Sequence, residues 1–211
     1  MSGHSHGHSH GGCDGDEGHD DTPEMGLQYS LYTKIDIMNL ECLNEAVEGS
    51  GKDVFKPWEE RLNFEKFVES DADEELLFNI PFTGNVKLKG IIVVGGEGES
   101  HPSKMRLFKN RENMSFDDTS LPAVQEFELH HDTNGMLEYS TMVVKFATVH
   151  HLSIHFPRNF GSETTKIYYI GLRGEFTPMQ RQEVVICSYE ALPSVHDHKL
   201  DQFNHVNSEV Q

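Results

Sequence analysis

Met142-Val-Val-Lys-Phe-Ala-Thr-Val-His-His-Leu-Ser-Ile-His-Phe156 is dense in β-branched and aromatic residues and holds no glycine or proline. Phe146, Thr148, His150, Leu152, Ile154 and Phe156 recur at a period of two and fall on one side, while His151, Ser153 and His155 fall on the other. Successive side chains leave a strand on opposite faces, so this alternation predicts a half-buried antiparallel strand. The strand region spans residues 138–156 and must divide near residues 147–149. No catalytic signature interrupts it.

Similar runs lie on either side. Leu76, Phe78, Ile80 and Phe82 alternate against Leu77, Asn79 and Pro81, and the proline places this strand at an edge or near its end. Thr83-Gly-Asn85 reads as a turn before a second strand at residues 86–94, whose later half is apolar on both faces. Gly95-Gly-Glu-Gly98 and His101-Pro102 then break the chain. Residues 104–108 and 124–130 are further strands, and Asp132-Thr-Asn-Gly135 is a hairpin signal. Residues 165–173 and 183–189 are apolar on both faces, as central strands of a sandwich are. Helical evidence is confined to Asp36, placed to cap a short helix carrying Ile37, Leu40 and Leu43. About eight or nine short strands with turn punctuation predict an all-β fold, an antiparallel β-sandwich of jelly-roll form.

The ends differ in composition. Residues 1–24 carry His4, His6, His8 and His10 between Ser and Gly, then six acids and no Lys or Arg, which reads as a disordered leader. Residues 25–193 form the domain, and residues 194–211 form a polar tail with Phe203 and Val206 as apolar handles. The net charge of −18 repels phosphate backbones and anionic membranes and favours a basic protein patch. Cys13, Cys42 and Cys187 are odd in number and contain no C-x-x-C, which predicts reduced thiols and a cytoplasmic or nuclear setting. No apolar run is long enough to span a bilayer.

The leader histidines have no fixed geometry with which to select a metal. His151 and His155 share a strand face but lie ~13 Å apart at a rise of about 3.3 Å per residue, too far for one metal. The run Glu69, Asp71, Asp73, Glu74, Glu75 lacks the bend glycine and ligand spacing of a calcium loop, and reads as a contact surface for a basic partner. Lys104, Arg106, Lys109 and Arg111 form a small basic stripe. The glycines at 95–98 lack the lysine and Ser/Thr ending of a phosphate loop. No G-x-S-x-G or H-E-x-x-H is present. The reading is a non-enzymatic interaction module without cofactor or catalytic residue, acting as a monomer. Its expected contacts are the acidic run and the tail residues His196, His198, Phe203 and His205. The alternative is a jelly-roll module for a small ligand, a glycan or metabolite stacked on Trp58, Tyr139 or Tyr168. A metal-dependent enzyme built on scattered histidines is the third reading.

Five blocks resemble a known family. Glu41-Cys-Leu-Asn-Glu45, the acidic run with Leu76 and Leu77, Val86-Lys-Leu88, Val144-Lys-Phe-Ala-Thr-Val149 and Glu163-Thr-Thr-Lys-Ile-Tyr-Tyr169 are similar to blocks of the PITH domain, in the same order. The resemblance implies a jelly roll similar to galactose-binding-like domains, and association with the proteasome regulatory particle. Family members that join this domain to a thioredoxin domain are reductases. With no C-x-x-C here, that activity is not carried over.

Overall fold

The computed structural model describes residues 27–179, in which eight strands follow one another: β1 (Glu41–Leu43), β2 (Val68–Glu69), β3 (Leu76–Gly95), β4 (Lys104–Lys109), β5 (Gln125–Glu128), β6 (Glu138–Ser140), β7 (Val149–Phe156) and β8 (Lys166–Pro178). All pairings are antiparallel. The leader, the strand expected at residues 183–189 and the tail lie outside the described residues.

The two strands expected around Thr83-Gly-Asn85 are one. β3 runs unbroken for 20 residues and changes partners part-way. Its first part lies between β1 and β7, as in the pairs Cys42↔Phe78 and Phe78↔Ile154. Its second part lies between β8 and β6, as in Ile91↔Leu172 and Ile91↔Tyr139. The register shifts between Pro81 and Val86. Pro81 is therefore not at an edge or an end. It occupies the irregularity where the strand crosses from one layer to the other, which is another place a sheet tolerates a missing N–H. Its carbonyl accepts the Asp36 N–H at 2.9 Å.

One layer is thus β1-β3-β7-β4-β5 and the other β2-β8-β3-β6, joined through β3. Between them Phe78, Phe156, Ile154, Leu107, Ile91, Val93, Ile167 and Leu172 pack as a single core. Each layer also carries a smaller apolar cluster on its other face. Ile92, Val94 and Tyr169 meet Tyr29 and Trp58, and Leu77 and Phe108 meet Met114 and Phe116. The second cluster explains why β7 departs from the expected half-buried pattern. The segment 110–123 lies over its polar face, so His151, Ser153 and His155 are buried together with Leu152, Ile154 and Phe156.

Three other expectations are corrected. Residues 142–146 form a turn rather than strand, since the Lys145 and Phe146 N–H groups both donate to the Met142 carbonyl. Asp36 caps a turn, not a helix: Asn39 donates to its side chain at 2.7 Å, and the chain then enters β1. The turn at Asp132 forms, with Gly135 at φ 71° and the carboxylate accepting the N–H groups of Asn134, Gly135 and Leu137. It does not close a hairpin, because β5 pairs with β4 and β6 pairs with β3.

Candidate protein-contact site

The acidic run begins in β2 and forms the loop that enters β3. Asn44, at φ 67°, is its template. The Asn44 carbonyl accepts the Asp71 N–H at 3.0 Å, and its side-chain oxygen accepts the Ala72 N–H at 3.1 Å. Its amide donates to Asp73 Oδ1 at 2.8 Å and to the Glu75 carbonyl at 2.7 Å. On the far side Thr165 donates through Oγ1 to the Glu74 carbonyl at 2.6 Å and through N–H to Ser70 Oγ at 2.9 Å. Bonds from two sides fix the loop.

The five carboxylates are brought together but are not equivalent. Glu69 pairs with Lys166 at 3.0 Å and accepts from Thr164 Oγ1 at 2.9 Å. Burial works to raise its carboxyl, but these two partners outweigh it and hold the group below the ordinary range. Asp73 is spent within the loop, accepting also from the Glu75 N–H at 3.0 Å. Glu75 turns inward, with Oε1 3.9 Å from His155 Nε2. Burial, then the charges of Asp73 and Glu74, push its carboxyl up. Asp71 is exposed and Glu74 half-buried, and neither carboxylate is hydrogen-bonded or ion-paired among the described residues. Of the expected contact acids, these two are free to meet a partner. His196, His198, Phe203 and His205 lie outside the described residues.

The aromatic side chains named for ligand stacking are mostly occupied. Trp58 is buried, stacked on Tyr29 at 4.9 Å with the Arg61 guanidinium 4.1 Å from its ring. Tyr139 is half-buried and its hydroxyl accepts the His130 N–H at 2.9 Å. Tyr168 lies between Phe64 and Phe67. Most of the basic stripe is engaged internally, Arg111 being exposed. Lys104 and Arg106 both pair with Glu126, at 2.8 and 2.9 Å, and Arg106 also donates to the Thr119 and Leu121 carbonyls. Among the described residues no three His, Cys, Asp or Glu side chains converge to hold a metal ion, and no helix is long and apolar enough to cross a membrane. The Cys42 thiol is buried and free, pushed up by that burial and by Glu45 and Glu41.

The residues that organise the loop were not singled out by chemistry. A left-handed Asn such as Asn44 is visible in a sequence only as a residue that tolerates that conformation.

A sequence profile of the PITH domain matches residues 21–193. The chain belongs to the PITH domain family. It is 59% identical over 201 residues to PITH domain-containing protein 1 of Homo sapiens, covering 95% of this chain and 94% of that one. It is 57% identical over 213 residues to the PITH domain-containing protein GA19395 of Drosophila pseudoobscura pseudoobscura, covering 99% of each. Among solved structures, the CBM32-1 and CBM32-2 domains of Clostridium perfringens ZmpB, determined in complex with GalNAc, superpose with a TM-score of 0.51 at 10% identity, over 74% of this chain and 39% of that one. That likeness concerns the fold alone. The PITH domain here is the all-β jelly-roll sandwich that the sequence predicts, with a fold like that of the CBM32 domains.

Proposed function

We propose that this PITH domain protein is a non-enzymatic interaction module that associates with the proteasome regulatory particle and adapts or modulates it. The observation that carries the reading is the acidic loop at residues 69–75. Asn44 and Thr165 hold its backbone in place, while Asp71 and Glu74 have no partner among the described residues. A loop fixed before binding loses little freedom on contact, which favours recognition. Unpaired carboxylates on a chain of net charge −18 select a basic partner surface. The proteasome as partner rests on family membership.

Affinity capture from cell extract with mass spectrometry tests this. Wild-type protein is expected to recover regulatory-particle subunits. The double variant Asp71→Lys, Glu74→Lys, and a chain ending at Pro193, are each expected to recover less. Recovery of no such subunit by the wild type overturns the proposal. Equal recovery by the truncated chain removes the tail from it.

A ZmpB domain that binds GalNAc shares the fold, but the stacking residues required for a glycan here are engaged, with Trp58 only 4% exposed. The glycan reading has no support beyond the fold.

A further inference from the structure

We propose that a pocket beside β2, between residues 46–53 and 65–69, is a docking site for an extended basic peptide segment carrying one aliphatic anchor. This rests on the reading that the protein acts by contact, and it adds a second surface and the chemistry of what fits it.

The pocket holds about 310 Å³ and lies at a sheet border, because β2 is the last strand of its layer. Val47 and Phe67 supply its apolar wall. Val47 is 68% exposed, and Phe64 close by is 49% exposed. The apolar surface is continuous. The Phe64 and Phe67 rings lie 4.8 and 5.8 Å from that of Tyr168, both edge-on. The walls are fixed. Glu45 accepts the N–H groups of Gly49 and Gly51, closing the loop that carries Val47, and Lys166 Nζ sits 4.5 Å over the Phe67 ring.

Charge selects the occupant. The lining includes the carboxylates of Asp53, Glu65 and Glu69 against the single ammonium of Lys66. Lys66 is engaged by Asp53 at 3.2 Å, and Glu69 is engaged by Lys166. Among the described residues the Glu65 carboxylate has no partner, and past the Glu69 rim the chain continues to the unpaired Asp71 and Glu74. A segment with Lys or Arg on either side of a Leu or Ile satisfies both features. Its aliphatic side chain enters between Val47 and Phe67, its cations meet Glu65 and the rim, and an Arg can also lie on the exposed Phe64 face. A second copy of this chain is disfavoured as occupant, since it would bring −18 against −18.

The test uses the full chain and two short labelled synthetic peptides with a central Leu, one flanked by Arg and Lys, the other by Glu and Asp. The basic peptide is expected to bind, more weakly as salt rises, and to shift the backbone resonances of Val47, Phe64 and Phe67. Phe64→Ala and Glu65→Lys are each expected to weaken it by about tenfold. Glu65→Lys should melt with the wild type and Phe64→Ala somewhat lower for its lost Tyr168 contact, with both folded at the assay temperature, and Val144→Ser at an exposed apolar turn outside the pocket lining should leave binding unchanged. Equal binding of the acidic peptide, insensitivity to both pocket variants, or no binding at millimolar peptide overturns the proposal. Proteasome capture by the Phe64→Ala, Glu65→Lys double variant separates the two readings. Undiminished capture together with no binding of the basic peptide by the wild type removes this pocket and leaves the contact function standing.

Discussion

His155 shows how far a single residue departs from what its neighbours in sequence suggest. Both its ring nitrogens are buried without a hydrogen-bond partner, and Phe116 packs edge-on to the ring. Burial first, and the nearby Arg106 charge second, push the imidazole down from 6.5 to about 4. At pH 7 the ring is neutral in both the folded and the unfolded chain. Between pH 6.5 and about 4 only the unfolded chain takes up the proton, so stability falls as pH drops through that window and levels off below it. His151 and His101, also lowered by burial, act in the same direction, whereas the raised Glu75 carboxyl offsets part of the loss near its own titration. The His155 share of the loss from pH 7 to pH 5 is on the order of 2 kcal/mol. Urea unfolding at both pH values should show His155→Leu losing less stability than the wild type by about that amount. An identical pH dependence would contradict the assignment. The alternation of β7 was legible in the sequence, but the burial of its polar face was not. What covers His155 is a stretch of Asn, Asp, Ser and Glu around Met114 and Phe116, and two apolar residues in a polar segment carry no periodicity to announce a lid.

At the scale of elements, turn chemistry was read correctly where it is local and incorrectly where tertiary contact decides. Asp132 and Gly135 make their turn from their own side chain and backbone, yet the flanking strands chose other partners, which no four-residue pattern can specify. Thr83-Gly-Asn85 carries equal turn chemistry and stays extended. Gly84 is opposite Pro178, with the Phe176 ring so close that an added Cβ would sit 2.8 Å from it. The Thr177 carbonyl is closer still, at 2.7 Å, so this glycine makes room for the facing strand and its ring rather than for a bend. The acidic loop was legible as a charged surface. Its division into bonded and free carboxylates was not, because that depends on Asn44 and Thr165, 29 and 91 residues from the groups they hold. The lid over β7 is tied at its Met114 carbonyl by the Asn79 amide at 2.8 Å and at its far end by Arg106, which reaches from β4 to the Thr119 carbonyl at 2.6 Å and the Leu121 carbonyl at 3.0 Å and pairs with Glu126 of β5. Arg106→Ala is expected to cost about 2 kcal/mol, since it removes charge-assisted bonds from part-buried carbonyls. Amide exchange should accelerate first at residues 114–121 while the β3 amides stay protected. Uniform acceleration across the sheets would show that Arg106 supports the whole fold instead.

For the whole molecule, the jelly-roll class followed from the number and spacing of strands, and the crossing of β3 between layers is what the sequence concealed. Residues of both parts of β3, Phe78 and Ile91 among them, lie in the one central core. The layers therefore lack separate cores that would let one melt before the other. The single tryptophan, Trp58, packs against Ile92, Val94 and Tyr169 on the outer side of the β8 layer. Its fluorescence reports that layer, while far-UV circular dichroism reports all strands. The two signals are expected to share one urea midpoint, as for a two-state domain. A tryptophan transition preceding the dichroism change would mean that the outer cluster opens on its own.

The same 20-residue strand sets a mechanical property. A sandwich whose sheets met only through side chains could shear, one plate sliding over the other as side chains changed rotamers. Here a covalent tether passes straight through the joint and is hydrogen-bonded along both plates, so sliding would have to strip a ladder. A binder at the rim can press on the loops, but it cannot twist one plate against the other. The protein meets whatever it touches as a stiff body, and strain imposed at a contact is returned to the binder.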